Sequence, residues 1–191
     1  MENPTITSGF ELEGTYHLDC FENEAKRQEW LLTSDPSLIK WSGDIKNKIV
    51  NQGLNYLLNC IFYTTAKLSN AWYLGLVVTN TAAAAGMTYV TPTYTESTTG
   101  EAARQACTFV TSSAQSTTNS ASPAVFTNGG ATETVYGVCL VGANAAGVTT
   151  AGDTAATGGV LLSYGLLGAG QPWIATNVIN ATYTITDAST T

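Results

Sequence analysis

Positive charge is almost missing from most of this chain. Of seven Lys and Arg residues among 191, six lie between Met1 and Lys67, and Arg104 stands alone from Leu68 to Thr191. With fourteen acids the net charge is −7. A protein that neutralises phosphates needs clustered Lys and Arg, so no nucleic-acid partner is expected. Charged residues make up 11% of the sequence, against about 25% in an average soluble domain. A surface of Ala, Thr, Ser and Gly repels its neighbours weakly, and loss of charge is a mark of interface cores. Copies of the chain, or subunits of a larger assembly, are therefore the expected partners.

Long apolar runs are also lacking. A run such as Trp72 to Val78 falls far short of the roughly 18 residues of a spanning helix, so no membrane span is expected. The segment Met1 to Phe10 is polar and acidic, without the basic and apolar regions of a signal peptide, which points to synthesis in a reducing cytoplasm. The four cysteines, Cys20, Cys60, Cys107 and Cys139, form no C-x-x-C pair and are expected as buried free thiols.

Chemistry-bearing motifs are absent as well. His17 is the single histidine; without Cys, His or Asp at ligand spacing it is expected as an exposed strand residue, and neither a metal nor a cofactor is expected. There is no G-x-S-x-G, H-E-x-x-H, G-x-x-x-x-G-K-[ST] or G-x-G-x-x-G pattern, hence no signature of a nucleophile elbow, zinc site or phosphate cradle. Glu96 and Glu101 could pair as glycosidase carboxylates, but a five-residue loop does not set their separation. A solvated loop with Arg104 nearby is the expectation. Asp153 has no acids near it in sequence to share a calcium ion. No catalytic residue is assigned, and the chain is not expected to be an enzyme.

What is present is a set of strands around one helix. In N-Q-G-L-N-Y-L-L-N-C-I-F, residues 51–62, Leu54, Leu57, Leu58, Ile61 and Phe62 recur at helical spacing. This predicts an amphipathic helix, N-capped by Asn51, that buries its stripe. Thr15 to Phe21 alternates, with Tyr16, Leu18 and Cys20 on one face, and Ala25 to Leu32 reads as its hairpin partner with Trp30 and Leu32 on one face. Ala71 to Val78, Thr132 to Val141 and Val160 to Leu167 read as strong apolar strands, the first covered on both faces. Arg104 to Thr111, Ala124 to Thr127 and Ala181 to Thr186 read as further strands, with a turn at Asn128-Gly129-Gly130. Residues 111–122 and 142–159 read as loops. The expected fold is mainly β, an antiparallel β-sandwich or jelly roll with one short helix. Residues 1–48 are expected to be a polar lead and charged hairpin serving as an attachment segment, and 49–191 the sandwich domain.

The interface is expected to draw on Phe10, Tyr16, His17, Trp30 and Trp41. Trp41 and Trp173 are candidates for stacking on a sugar ring.

The series G-T-Y-H-L-D-C-F (14–21), E-W-L-L (29–32), I-K-N-K-I-V-N-Q-G-L-N-Y-L-L-N (45–59), W-Y-L-G-L-V (72–77), Y-T-E followed by R-Q-A-C-T-F (94–109), N-S-A-S-P-A-V-F-T (119–127), T-V-Y-G-V-C-L-V (134–141), G-V-L-L-S-Y-G (159–165) and A-T-Y-T-I-T (181–186) resembles small β-rich structural proteins of tailed bacteriophage virions. The chain departs from the resemblance at T-N-T-A-A-A-A-G-M, where similar proteins carry an Asp-containing turn. The resemblance implies a non-enzymatic subunit on the virion exterior that contacts capsid, neck or tail subunits and copies of itself. A capsid-decorating (cement) role is placed ahead of a neck, tail or tail-fibre attachment role, and a carbohydrate-binding host-recognition module is the alternative.

Overall fold

A computed structural model describes residues 12–68 and 71–187. The strands are β1 (Leu12–Phe21), β2 (Ile39–Lys46), β3 (Lys48–Ile49), β4 (Trp72–Val77), β5 (Gln105–Ala106), β6 (Ser116–Thr118), β7 (Ala124–Thr127), β8 (Glu133–Gly142), β9 (Val160–Trp173) and β10 (Val178–Asp187). Two α-helices, α1 (Glu24–Thr33) and α2 (Asn51–Phe62), interrupt them. One antiparallel sheet runs β2-β1-β10-β6, with β7 also on β10; the other runs β3-β9-β8-β4-β5. The fold is β-sandwich-like, as the alternating strands predict. The three strongest apolar strands, β4, β8 and β9, are neighbours in one sheet.

Between the sheets, Tyr16, Leu18, Cys20, Ile45, Ile179, Ala181 and Tyr183 meet Leu74, Leu76, Val138, Leu140 and Leu162 in one core. The Tyr16 and Tyr183 rings stack at 4.2 Å, and their hydroxyls are joined through Ser163, with Asn47 donating to Tyr183. Burying these phenols is tolerable because each hydroxyl has a partner. The second sheet is covered on its other face too: Met87, Tyr89, Tyr94 and Val148, from loops, pack on Val77, Cys139, Val141, Leu161 and Tyr164. That double coverage is why β4 and β8 read as continuous apolar runs. The stretch 142–159, expected as a surface loop, buries Ala143, Val148 and Ala151. Arg104 to Thr111 is a strand only at Gln105–Ala106, and the loop at 111–122 contains β6.

The charged first quarter departs most from expectation. β1 lies between β2 and β10, paired with β10 from Leu12↔Asp187 to Phe21↔Val178, so it builds the sandwich. Ala25 to Leu32 is helical, and β1 pairs with β2 instead. Glu, Ala, Lys, Arg and Gln are helix formers, and Asn23 Oδ1 caps the turn by accepting from the Lys26 amide at 3.0 Å. Ion pairs Lys26–Glu29 and Arg27–Glu24 at i,i+3 add support. A two-residue alternation of Trp30 and Leu32 was weaker than these signals combined.

Helix α2 has the expected bounds, but its N-cap is Val50, which provides no side-chain bond. The Gln52 amide clamps this end: Oε1 accepts from the Tyr89 and Leu161 amides at 2.8 and 2.9 Å. Leu57 reaches the core and Tyr56 meets Trp72 edge-on at 5.7 Å. The rest of the predicted stripe, Leu54, Leu58, Ile61 and Phe62, is exposed. The helix is held instead by Gly53, the one residue in it that is buried. A Cβ there would stand 2.5 Å from the Leu162 carbonyl oxygen and 2.8 Å from its Cα. Gly53→Ala thus sets two effects against each other. Helix propensity favours Ala by about 1 kcal/mol, whereas overpacking against backbone costs about 1–3 kcal/mol. A net loss of about 1 kcal/mol is expected, read as a lower urea midpoint with unchanged slope.

Candidate interaction surface

Among the described residues, one cluster of titratable side chains is buried and another lies open. Arg104, on the loop side of the second sheet, is 5% exposed and uses all five of its N–H donors. Nε and Nη2 donate to Glu96 at 2.8 and 2.6 Å, Nη1 to Tyr89 Oη and the Val148 carbonyl at 3.0 and 2.9 Å, and Nη2 to the Asp153 carbonyl at 2.9 Å. Tyr89 Oη in turn donates to Asp153 Oδ2 at 2.7 Å. Burial opposes the Arg104 charge, but the Glu96 carboxylate outweighs it and holds the guanidinium pKa above its ordinary value. The hydrogen bond from Tyr89 holds the Asp153 carboxyl below its ordinary value. The cluster ties three loops to one sheet face.

Arg104 is near Glu96, as expected, but the expectation of a solvated loop is corrected at Glu96. Glu96 is buried with both oxygens on Arg104, while Glu101 Oε1 accepts from the Ala103 amide at 3.2 Å. The two carboxylates are not presented together. Cys20 and Cys107 are pushed up to about 12 by burial, and burial lifts Cys139 further. Their thiolates are negligible at neutral pH. All four cysteines are free, Cys60 being half-buried. Among the described residues no group of three His, Cys, Asp or Glu is placed to hold a metal ion.

The open cluster lies on the outer face of the first sheet, opposite Tyr16, Leu18 and Cys20. There His17 Nδ1 is 2.7 Å from Asp44 Oδ1 and Nε2 is 3.1 Å from Asp19 Oδ2. The i,i+2 spacing of His17 and Asp19 put both on one strand face in the sequence; Asp44 arrives only through the β1–β2 register, which pairs it with His17. Burial depresses the imidazole pKa, but the two aspartates more than reverse this and hold it above its ordinary value. A folded pKa above the unfolded one adds stability below the unfolded value, about 6.5, and the gain is lost as pH rises through the folded value. His17→Asn should therefore lower Tm at about pH 5 and leave it unchanged at about pH 9. With His17 half-exposed the difference stays under about 1 kcal/mol and shrinks with salt.

Helix α1 lies over the same face: Trp30 tilts on Phe21 at 5.3 Å, and Arg27 donates from Nε to Asn180 Oδ1. None of its residues is buried, and Leu31 and Leu32 are exposed. Beside it, Lys26, Ser37, Lys40, Ile174 and Thr176 line an open groove of about 470 Å³.

The expected contact residues divide. Phe10 lies outside the described residues. His17 reaches the surface, and Trp30 and Trp41 are half-buried. Tyr16 is a correction: it is fully buried, stacked on Tyr183, because its face of β1 is the core face. Trp173 is another. Its indole is fully buried and donates to the Asn177 carbonyl at 3.2 Å, so it has no face to offer a sugar. Trp41 packs against the core and donates to the Pro172 carbonyl at 2.9 Å. Nothing in the sequence signals the exposure of the α1 leucines or of the outer stripe of α2, since apolar residues at regular spacing read as core.

No protein-family model matches the chain, and no curated protein sequence matches it.

Proposed function

We propose that the protein is a non-enzymatic structural subunit on the exterior of a tailed bacteriophage virion, first as a capsid-decorating protein and second as a neck, tail or tail-fibre attachment subunit. The observation that carries the reading is where the motif series falls: on β1, on α2, and on the chain-long succession β4, β7, β8, β9 and β10. The likeness is thus to a framework, with no site motif in it. A framework that closes its core on both faces of one sheet, yet leaves Leu31 and Leu32 of α1 in water, suits a protein whose work is to dock on other subunits. The chain would be made in the host cytoplasm and assembled onto the particle.

The test is to probe purified virions by mass spectrometry and gold-labelled antibody to this chain. Label over the head supports decoration, and label at one vertex or along the tail supports attachment. Absence from the particles sinks the proposal. Within the decorated particle, Leu32→Asp is the informative variant and should reduce incorporation. Truncating the first quarter is not informative, because it removes β1 and with it the centre of a sheet.

A further inference from the structure

We propose that α2 is the surface through which copies of this chain associate, α2 against α2. The inference deepens the subunit reading and rests on it only for the premise that copies meet.

Leu54, Leu58 and Ile61 are 39%, 51% and 67% exposed, and Phe62 and Tyr63, which follow them, are 80% and 73% exposed. The core between the sheets is complete without them, since the helix is anchored by Gly53, Gln52, Tyr56 and Leu57. Together the five present on the order of 600 Å² of surface to water, at the upper end of the largest patch found on ordinary monomers. That approaches the roughly 800 Å² each partner buries in an interface of standard size.

Spacing and charge select the occupant. Steps of four and three residues, Leu54 to Leu58 to Ile61, make the narrow seam along which two helices pack at a shallow angle. No Asp, Glu, Lys or Arg occurs between Lys48 and Lys67. A chain of net charge −7 repels its copies wherever its acids face each other, so a contact between copies is least opposed on this uncharged helix. A partner chosen by complementary charge would find nothing to read there. Asn55 and Asn59, exposed beside the seam, each carry both donor and acceptor. They can bond their own counterparts across a symmetric interface, in which the same patch faces itself.

Sedimentation equilibrium of the purified chain across about 1–100 μM, the range in which weak association is read, tests this. The wild type should show a mass of two or more chains at the upper end. Leu58→Asp combined with Ile61→Asp should bring it to one, a fall of at least twofold. Both side chains are more than half exposed, so the far-UV spectrum should be retained; Leu58→Gln with Ile61→Gln is the milder variant should the aspartates unfold α2. Leu32→Asp on α1 should leave the mass unchanged. A monomer throughout, or an oligomer indifferent to both α2 variants, overturns the inference, whatever else covers the helix. An α2-dependent oligomer absent from virions would instead overturn the subunit reading and leave this one standing. A monomeric chain recovered from virions would do the reverse.

Discussion

Arg104→Ala should cost about 3–5 kcal/mol of stability, the range for breaking a buried ion pair from one side. The loss comes less from the missing attraction than from what is left behind. Glu96, 4% exposed, would keep a carboxylate with no cation, and the Val148 and Asp153 carbonyls would lose their donor. For a chain of this size each kcal/mol moves Tm by about 2–4 °C, so a fall on the order of 10 °C is expected. Arg104→Lys should recover little, because a single ammonium cannot serve Glu96 in two-pronged fashion while also reaching Tyr89 and two carbonyls. Replacing both partners, Arg104→Met with Glu96→Leu, should regain much of the loss, since neither charge then has to be desolvated. Thermal melts of the four proteins decide it. If Arg104→Ala melts within about 2 °C of the wild type, less than 1 kcal/mol by the same conversion, the cluster does not hold the loops down.

Trp173→Ala is the second large effect, again about 3–5 kcal/mol, the range for deleting a buried aromatic side chain. Trp173 ends β9, its indole N–H is satisfied by Asn177, its carbonyl accepts from Asn128 Nδ2 at 2.9 Å, and a Cβ at Gly100 would stand 2.6 Å from its ring. The ring is fully enclosed, so its removal leaves a cavity beside the β9–β10 turn. Trp173→Phe should lose clearly less, and Trp41→Ala, at a half-buried position, less than Trp173→Ala. Urea denaturation measures each. Here the core and sugar-contact readings part: a ligand-stacking tryptophan would be removed with little change in stability and a loss of binding. Wild-type stability in Trp173→Ala would return the residue to the surface.

Trp173 also shows how sequence reading fails. It sits in the polar setting G-A-G-Q-P-W-I-A-T-N, which resembles a surface loop, yet β9 continues through it and the turn after it folds back. At Tyr16 the reverse holds: alternation places it on one face with Leu18 and Cys20, and only the neighbouring sheet makes that face the inside. Glu96 and Arg104 are eight residues apart, so proximity was foreseeable; their burial depends on loops from residues 87–100 and 146–156 closing over them. His17 and Asp19 could be placed on one face from spacing alone, whereas Asp44 needed the strand register.

The amino-acid order by itself determined the mainly β character, the face of β1 that carries Tyr16, Leu18 and Cys20, and the bounds of α2, because side-chain direction repeats every two residues in a strand and every 3.6 in a helix; β4, β8 and β9 stood out as unbroken apolar runs. Tertiary structure decided which apolar stripes are inside. Among the described residues its longest pairing joins β1 to β10, Leu12 to Asp187, and its second sheet is packed on both faces because distant loops lie on it. Periodicity is local, whereas burial depends on what arrives from elsewhere in the chain. An apolar stripe thus marks the core at Leu18, on a strand, and a water-facing surface at Leu58, on a helix.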